Sequence, residues 1–176
     1  GIYADLNLNV GRSYKAGDGV RDHELLGFAK SLTYFDPRLI ELQKEYARQL
    51  LTHRNPHTGA EYRHEPAVAL VELVNENSLV EAWMDGRLRG QNTQKNPGTW
   101  TDIPAGYAQD LTVKYNTWLK GRFPAATLAE WRKEAGVAAD APLPRLRPDQ
   151  FAKAGRERFQ AEATFYMEVE RDHFLD

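Results

Sequence analysis

Val68-Ala-Leu-Val-Glu72-Leu-Val-Asn75-Glu76-Asn77-Ser78 is the stretch whose reading decides the fold class of this chain. The apolar run is too short and too β-branched for a helix, so it predicts a buried strand over 67–75. It breaks off in Asn75-Glu76-Asn77, which brings a carboxylate flanked by two amides out at the strand's exit. That grouping suits proton transfer and recognition of hydroxyl groups, and it is the main reason to expect an enzyme. Alone, the triplet is weak, because Asn and Glu are common in loops.

Upstream, residues 2–10 alternate: Ile2, Ala4, Leu6, Leu8 and Val10 on one face, Tyr3, Asp5, Asn7 and Asn9 on the other. The first face suits a covering helix layer. The second suits a strand lining a polar interior, or else an edge strand with a solvated face. Residues 11–35 read as loop with a short helix around His23–Lys30. Asp36-Pro37 then predicts a helix over 37–54, with Asp as N-cap and Pro in the first turn. Its buried stripe is Leu39, Leu42, Tyr46, Ala47, Leu50 and Leu51; Asn55-Pro56 ends it and Thr58-Gly59 turns the chain. The resulting order, strand–loop–helix–loop–strand, is the unit of parallel α/β architecture. Such sheets bind substrate at the carboxyl ends of their strands, which is where Asn9, Asn75, Glu76 and Asn77 fall. Arg12, just beyond Asn9, could reach a substrate or brace a loop.

Downstream the pattern changes. Residues 84–104 read as loop, Tyr107 to about Leu119 as a helix ended by Gly121, and about 125–135 as a shorter helix stopped at Gly136. Ala138–Pro148, with three prolines, reads as a linker or meander, and a long helix is expected from Pro148 or Asp149 to the end. Trp83 and Trp100 sit near the triplet in loop-like context. They are candidate platforms for sugar stacking, with ordinary packing as the alternative. Trp118 and Trp131 lie on helical apolar stripes and read as core.

Composition narrows the class. Hydrophobic residues make up 41% of 176 residues, enough for one folded domain with a sizeable core. With 23 basic and 25 acidic residues the net charge is −2, which argues against a nucleic-acid or membrane-surface footprint. No apolar run approaches the ~20 residues of a membrane helix. The absence of cysteine excludes disulfides and thiolate chemistry and leaves the compartment open. There is no P-loop, Gly-x-Gly-x-x-Gly or Ser elbow, and no cofactor is expected. The chain starts without Met and stops within helical periodicity, so both termini are expected to be truncated and the chain to be a segment of a longer protein.

Within the strand, Glu72 and Glu76 would lie about 13 Å apart at ~3.3 Å per residue. Paired glycosidase carboxylates stand roughly 5–9.5 Å apart, so the two cannot work on one bond. Glu76 is therefore the candidate for chemistry, and Glu72, deeper in, a structural group that is ion-paired or protonated.

Taken together, Val71-Glu72-Leu73-Val74-Asn75-Glu76 resembles strand four of the clan A glycoside hydrolases, especially the family-5, cellulase-like (β/α)8 barrels of bacteria. Gly1–Asn9 resembles their third strand, which often ends in His where Asn9 stands here. The match covers residues 1–80 well. It is looser over Tyr115-Asn-Thr-Trp118-Leu119 and Leu128-Ala-Glu-Trp131, which look like an elaboration after strand four. The resemblance implies an α/β fold: a fragment of a (β/α)8 TIM barrel spanning 1–176, with a helical and loop excursion over 84–148. It implies a retaining glycoside hydrolase cleaving β-linked poly- or oligosaccharides. Glu76 would be the general acid/base and Asn75 the partner of the sugar 2-hydroxyl. Asn9, Asn77, Trp83, Trp100 and Arg12 would be further substrate contacts. The nucleophile, a Glu at the end of strand seven, would lie outside this chain, so the chain alone is expected to be inactive. An extracellular or periplasmic location is compatible with the resemblance. Two alternatives stand: a catalytically inactive sugar-binding or scaffold protein on the same fold, and an unrelated α/β hydrolase or lyase using Glu76 as a lone base. His53-x3-His57 has a metal-ligand spacing, but Asn55-Pro56 breaks the helix between them and the region would lie at the barrel's bottom, so no metal is expected.

Overall fold

The computed structural model describes the backbone of residues 2–5, and residues 30–91 and 102–176. Two strands, β1 (Ile2–Asp5) and β2 (Val68–Glu72), pair in parallel, with Ala4 opposite Val71 and Asp5 opposite Glu72. Parallel neighbours need a crossover, and helix α1 (Pro37–Thr52) lies within it. The Asp36-Pro37 start is observed: Asp36 Oδ1 accepts the Leu39 N–H at 3.0 Å. Its other end comes two residues early, at Thr52; Asn55 Oδ1 then accepts the His57 N–H at 2.9 Å, and Gly59 takes φ +72 in the turn. The expected helix around His23–Lys30 falls almost wholly outside the described residues; a 3-10 turn, Lys30–Tyr34, stands beside it.

The strand stops at Glu72 rather than at residue 75. It is also not buried. Leu70 is 66% and Leu73 56% exposed, and Val71 is exposed too. The apolar stripe of α1 is only partly covered: Leu39 is buried, Leu42, Ala47, Leu50 and Leu51 are half-buried, and Tyr46 is exposed. An apolar run encodes a preference for burial, but burial needs a partner, and among the described residues β2 has one neighbouring strand.

The core lies instead in the helices that follow. Helices α2 (Leu79–Met84), α3 (Ala105–Lys120), α4 (Ala125–Glu134) and α5 (Arg156–Leu175) bury Leu79, Trp83, Tyr107, Leu111, Tyr115, Trp131, Phe165 and Tyr166 against Leu32, Tyr34 and Leu39. α3 and α4 match the spans expected from periodicity. Helix α2 was not expected. The final helix starts at Arg156 rather than at Pro148 or Asp149. Pro148–Gln150 closes a 3-10 turn, Arg147 N–H donates to Gln150 Oε1 at 3.0 Å, and Phe151 turns aside onto Trp83, ring centroids 4.7 Å apart.

The proline-bearing stretch is a packed wall rather than a free linker. Leu143 and Leu146 are buried. Asn116 of α3 grips Leu143 as a strand neighbour would: its Nδ2 donates to Leu143 O at 2.9 Å and its Oδ1 accepts the Leu143 N–H at 2.7 Å. Among the described residues, no helix is long and apolar enough to cross a membrane, and no group of three or more potential ligands could hold a metal ion.

Candidate active site: the Asn75–Glu76–Asn77 turn

Between β2 and α2 the chain makes a short bend whose two sides are tied down. On the strand side, Gln43 of α1, a buried residue, donates from Nε2 to Leu73 O at 3.4 Å. On the helix side, Asn77 Nδ2 donates to Thr33 Oγ1 at 3.2 Å, and the Tyr34 hydroxyl donates to Asn77 O at 2.5 Å. Helix α2 then begins at Ser78, whose Oγ accepts the Glu81 N–H at 3.1 Å. Glu170, reaching across from α5, accepts the N–H groups of Leu79 and of Val80, the latter at 3.3 Å. An acceptor and a negative charge at a helix start satisfy orphan donors and complement the dipole. Burial, and secondarily the charge of Glu170, push the Tyr34 phenol well above its ordinary value, so it remains a donor.

Glu76 stands at the middle of this clamped bend. Its side chain is exposed and its backbone is left-handed, φ +46, the only non-glycine residue with positive φ among the described residues. For a residue with a β-carbon this conformation costs roughly 1–2 kcal/mol. The surrounding bonds hold it there. Asn75 and Asn77, on either side, are half-buried. Because the strand ends at Glu72, the alternation that would put Glu72, Val74 and Glu76 on one face does not extend to Glu76.

Glu72 is half-buried, and its Oε2 is buried with no hydrogen-bond partner among the described residues. It faces Asp5 in the strand register. Trp83 is placed in the core and not at a binding surface. It is 2% exposed, packs on Phe151, Phe159 and Tyr166, and donates from Nε1 to Leu146 O at 2.8 Å. A stacking platform needs an open face, and this indole has none. Its surroundings are set by α2 and α5 folding together, which a loop reading could not foresee. Trp131 is buried as expected, while Trp118 is half-buried with its indole N–H on Glu168 at 2.7 Å. Asn9, Arg12 and Trp100 lie outside the described residues.

Thus the structure brings Asn75, Glu76 and Asn77 together in one held turn and removes Trp83 from it. The positioning residues Gln43, Thr33, Tyr34 and Glu170 went unforeseen. Asp36-Pro37 marks a helix start by its own chemistry, whereas Glu170 caps a helix 91 residues earlier and carries no local mark.

Another buried carboxyl lies elsewhere. Glu162 of α5 is fully buried; its Oε2 accepts the Leu146 N–H at 2.8 Å and its Oε1 the Tyr166 hydroxyl at 3.0 Å. Burial pushes its carboxyl up to about 7, against the opposing pull of those bonds and of Arg145 and Arg158.

Over 82 residues, 47% of the chain, the sequence is 44% identical to the mannan endo-1,4-beta-mannosidase 5 of Arabidopsis thaliana. The chain spans 17% of the length of that relative. No family model matches, and no solved structure matches.

Proposed function

We propose that this chain is part of a retaining glycoside hydrolase acting on β-linked saccharides of the mannan type, with Glu76 as general acid/base. The fold proposed with it is a (β/α)8 barrel in which β1 and β2 are strands three and four and the stretch 84–148 is an excursion. In that setting further strands would cover Leu70, Val71 and Leu73. The observation that carries the reading is the clamped turn: Glu76 is held in a left-handed backbone at a strand exit, beside Asn75. Strain of this kind persists where the surroundings over-determine it, as functional sites do. The partial identity with a mannosidase supports the substrate class.

The chemistry follows from a carboxyl pair. Glu76, protonated, gives its proton to the glycosidic oxygen as the bond from that oxygen to the anomeric carbon breaks. A second carboxylate, contributed from outside this chain, forms the bond to that carbon from the opposite face. Glu76, now a carboxylate, takes a proton from water as the water oxygen displaces the nucleophile, which restores both groups and retains the configuration. Asn75 would donate to the sugar 2-hydroxyl, an interaction that strengthens as charge develops at the anomeric carbon.

The test is Glu76→Ala in the complete protein, assayed on a β-1,4-linked mannan. General acid/base groups contribute roughly 10²–10⁴-fold, so a kcat loss in that range is expected, with partial rescue of activated aryl glycosides by azide. An unchanged rate removes Glu76 from the mechanism and favours a binding or scaffold role.

A further inference from the structure

Away from the turn, a cavity of about 360 Å³ opens between the Gly86–Arg89 turn, α3 and the Pro142–Pro148 wall. Arg89, Arg145 and Arg147 line it with Pro144 and Leu146, and among the described residues no acidic one does. Its volume falls in the range of small-molecule sites. We propose that this cavity binds a sugar-sized ring carrying an oxyanion, a carboxylate or a phosphate.

The three guanidiniums differ in how they are held, and each difference matters. Arg145 is fixed by neutral acceptors: Nε donates to Thr112 Oγ1 at 3.0 Å, Nη1 to the Tyr166 hydroxyl at 3.2 Å, and Nη2 to Leu88 O at 2.6 Å and Ala108 O at 3.3 Å. Those bonds set its position, and the nearest carboxyl, Glu162, reaches it only through the shared Tyr166 hydroxyl among the described residues. The carboxyl behind it, Glu162, is turned to Leu146 N–H and Tyr166.

Arg89 rides on a turn that Asp102 builds. The carboxylate of Asp102 accepts the N–H groups of Arg89 at 2.6 Å, Gly90 at 3.2 Å and Gln91 at 2.7 Å, so it is occupied by backbone. The Arg89 guanidinium lies over Gly86, where a β-carbon would come within 2.3 Å of Nη2. Gly86, at φ +71, therefore makes the seat for this side chain. Among the described residues Arg147 pairs with solvent-exposed Asp149, at 3.3 Å. Exposed pairs are worth little, so an anion can displace it.

Arginine presents a planar fork that matches carboxylate or phosphate oxygens two at a time. That role falls to Arg89 and Arg147, since Arg145 already donates four of its five N–H groups and contributes mainly its charge. Proline rings and Leu146 share the lining with these arginines, an apolar wall suited to the C–H face of a ring. A bare inorganic anion would leave that wall unused. The site owes nothing to Glu76, so it stands or falls separately from the hydrolase reading.

Calorimetric titration of the 176-residue chain with glucuronate, glucose 6-phosphate, glucose and inorganic phosphate tests this. At least one anionic sugar is expected to bind saturably while glucose does not, and whichever anionic sugar binds more tightly assigns the oxyanion. Arg89→Gln, an exposed position whose circular dichroism should match the parent, is expected to weaken binding about tenfold. Bound ligand should also slow phenylglyoxal modification of Arg89, read by mass spectrometry. No saturable binding of either anionic sugar overturns the proposal. So does inorganic phosphate binding as tightly as the better of the two, or an Arg89→Gln chain of unchanged affinity.

Discussion

The two halves of this molecule treat apolar residues in opposite ways. In β2, Leu70 and Leu73 are 66% and 56% exposed, on a strand with one described neighbour. In the helices after it, Trp83, Tyr107, Tyr115, Phe165 and Tyr166 are buried and interlocked. Similar hydrophobicity thus gives opposite outcomes, because burial depends on what stands opposite. A helix carries its own backbone hydrogen bonds and needs only a facing stripe, whereas a strand needs neighbours on both edges and cover on its faces.

The largest test of that contrast is a pair of truncations. Trp83→Ala should cost about 3–5 kcal/mol in urea unfolding, since it empties a packed site and orphans Leu146 O. Leu70→Ala should fall within about ±0.5 kcal/mol. Comparable losses at the two positions would break the comparison.

Next in size is pH. Glu162, at about 7 in the folded chain and 4.5 when unfolded, binds more protons folded than unfolded between those values. Its contribution is therefore full below about 4.5 and is lost as pH rises through about 7, on the order of 3 kcal/mol from ~1.4 per pH unit. Glu162→Gln should flatten this slope in stability measured across pH 4.5–7.5; an unaltered slope would show that the buried helical half is not its source.

Smaller effects belong to the junction of the halves. Glu170→Ala leaves the first N–H groups of α2 without their acceptor and should cost about 1–2 kcal/mol, while raising hydrogen exchange at Leu79 and Val80. Unaltered exchange at these amides would mean that water replaces the cap freely. Smallest is Glu76→Gly, which relieves the left-handed backbone and should stabilise by about 1 kcal/mol while removing the proposed proton donor. A destabilised Glu76→Gly chain would mean that the carboxylate, rather than the clamps around it, holds the turn.

Local chemistry made much of this legible. Asp36-Pro37 started α1, Gly121 and Gly136 closed α3 and α4, and the strand–helix–strand order gave a parallel pair. Each depends on residues close in sequence. What was not legible depends on distant partners: α2 has six residues and starts under a carboxylate from α5, and Trp83 is core because Phe151, Phe159 and Tyr166 close on it. The last helix begins late because a 3-10 turn at Pro148–Gln150 closes first and Phe151 is pulled onto Trp83.

By itself the sequence determined the elements with local signals and the presence of Asn75-Glu76-Asn77 at a strand's end, since caps, prolines and periodicity act within a few residues. Only the tertiary structure decided that the strand stops at Glu72, that Glu76 is held left-handed by residues from α1, the 3-10 turn and α5, and that three arginines share one cavity. Those outcomes arise from groups far apart in the chain, whose energies exist only once the chain has brought them into contact.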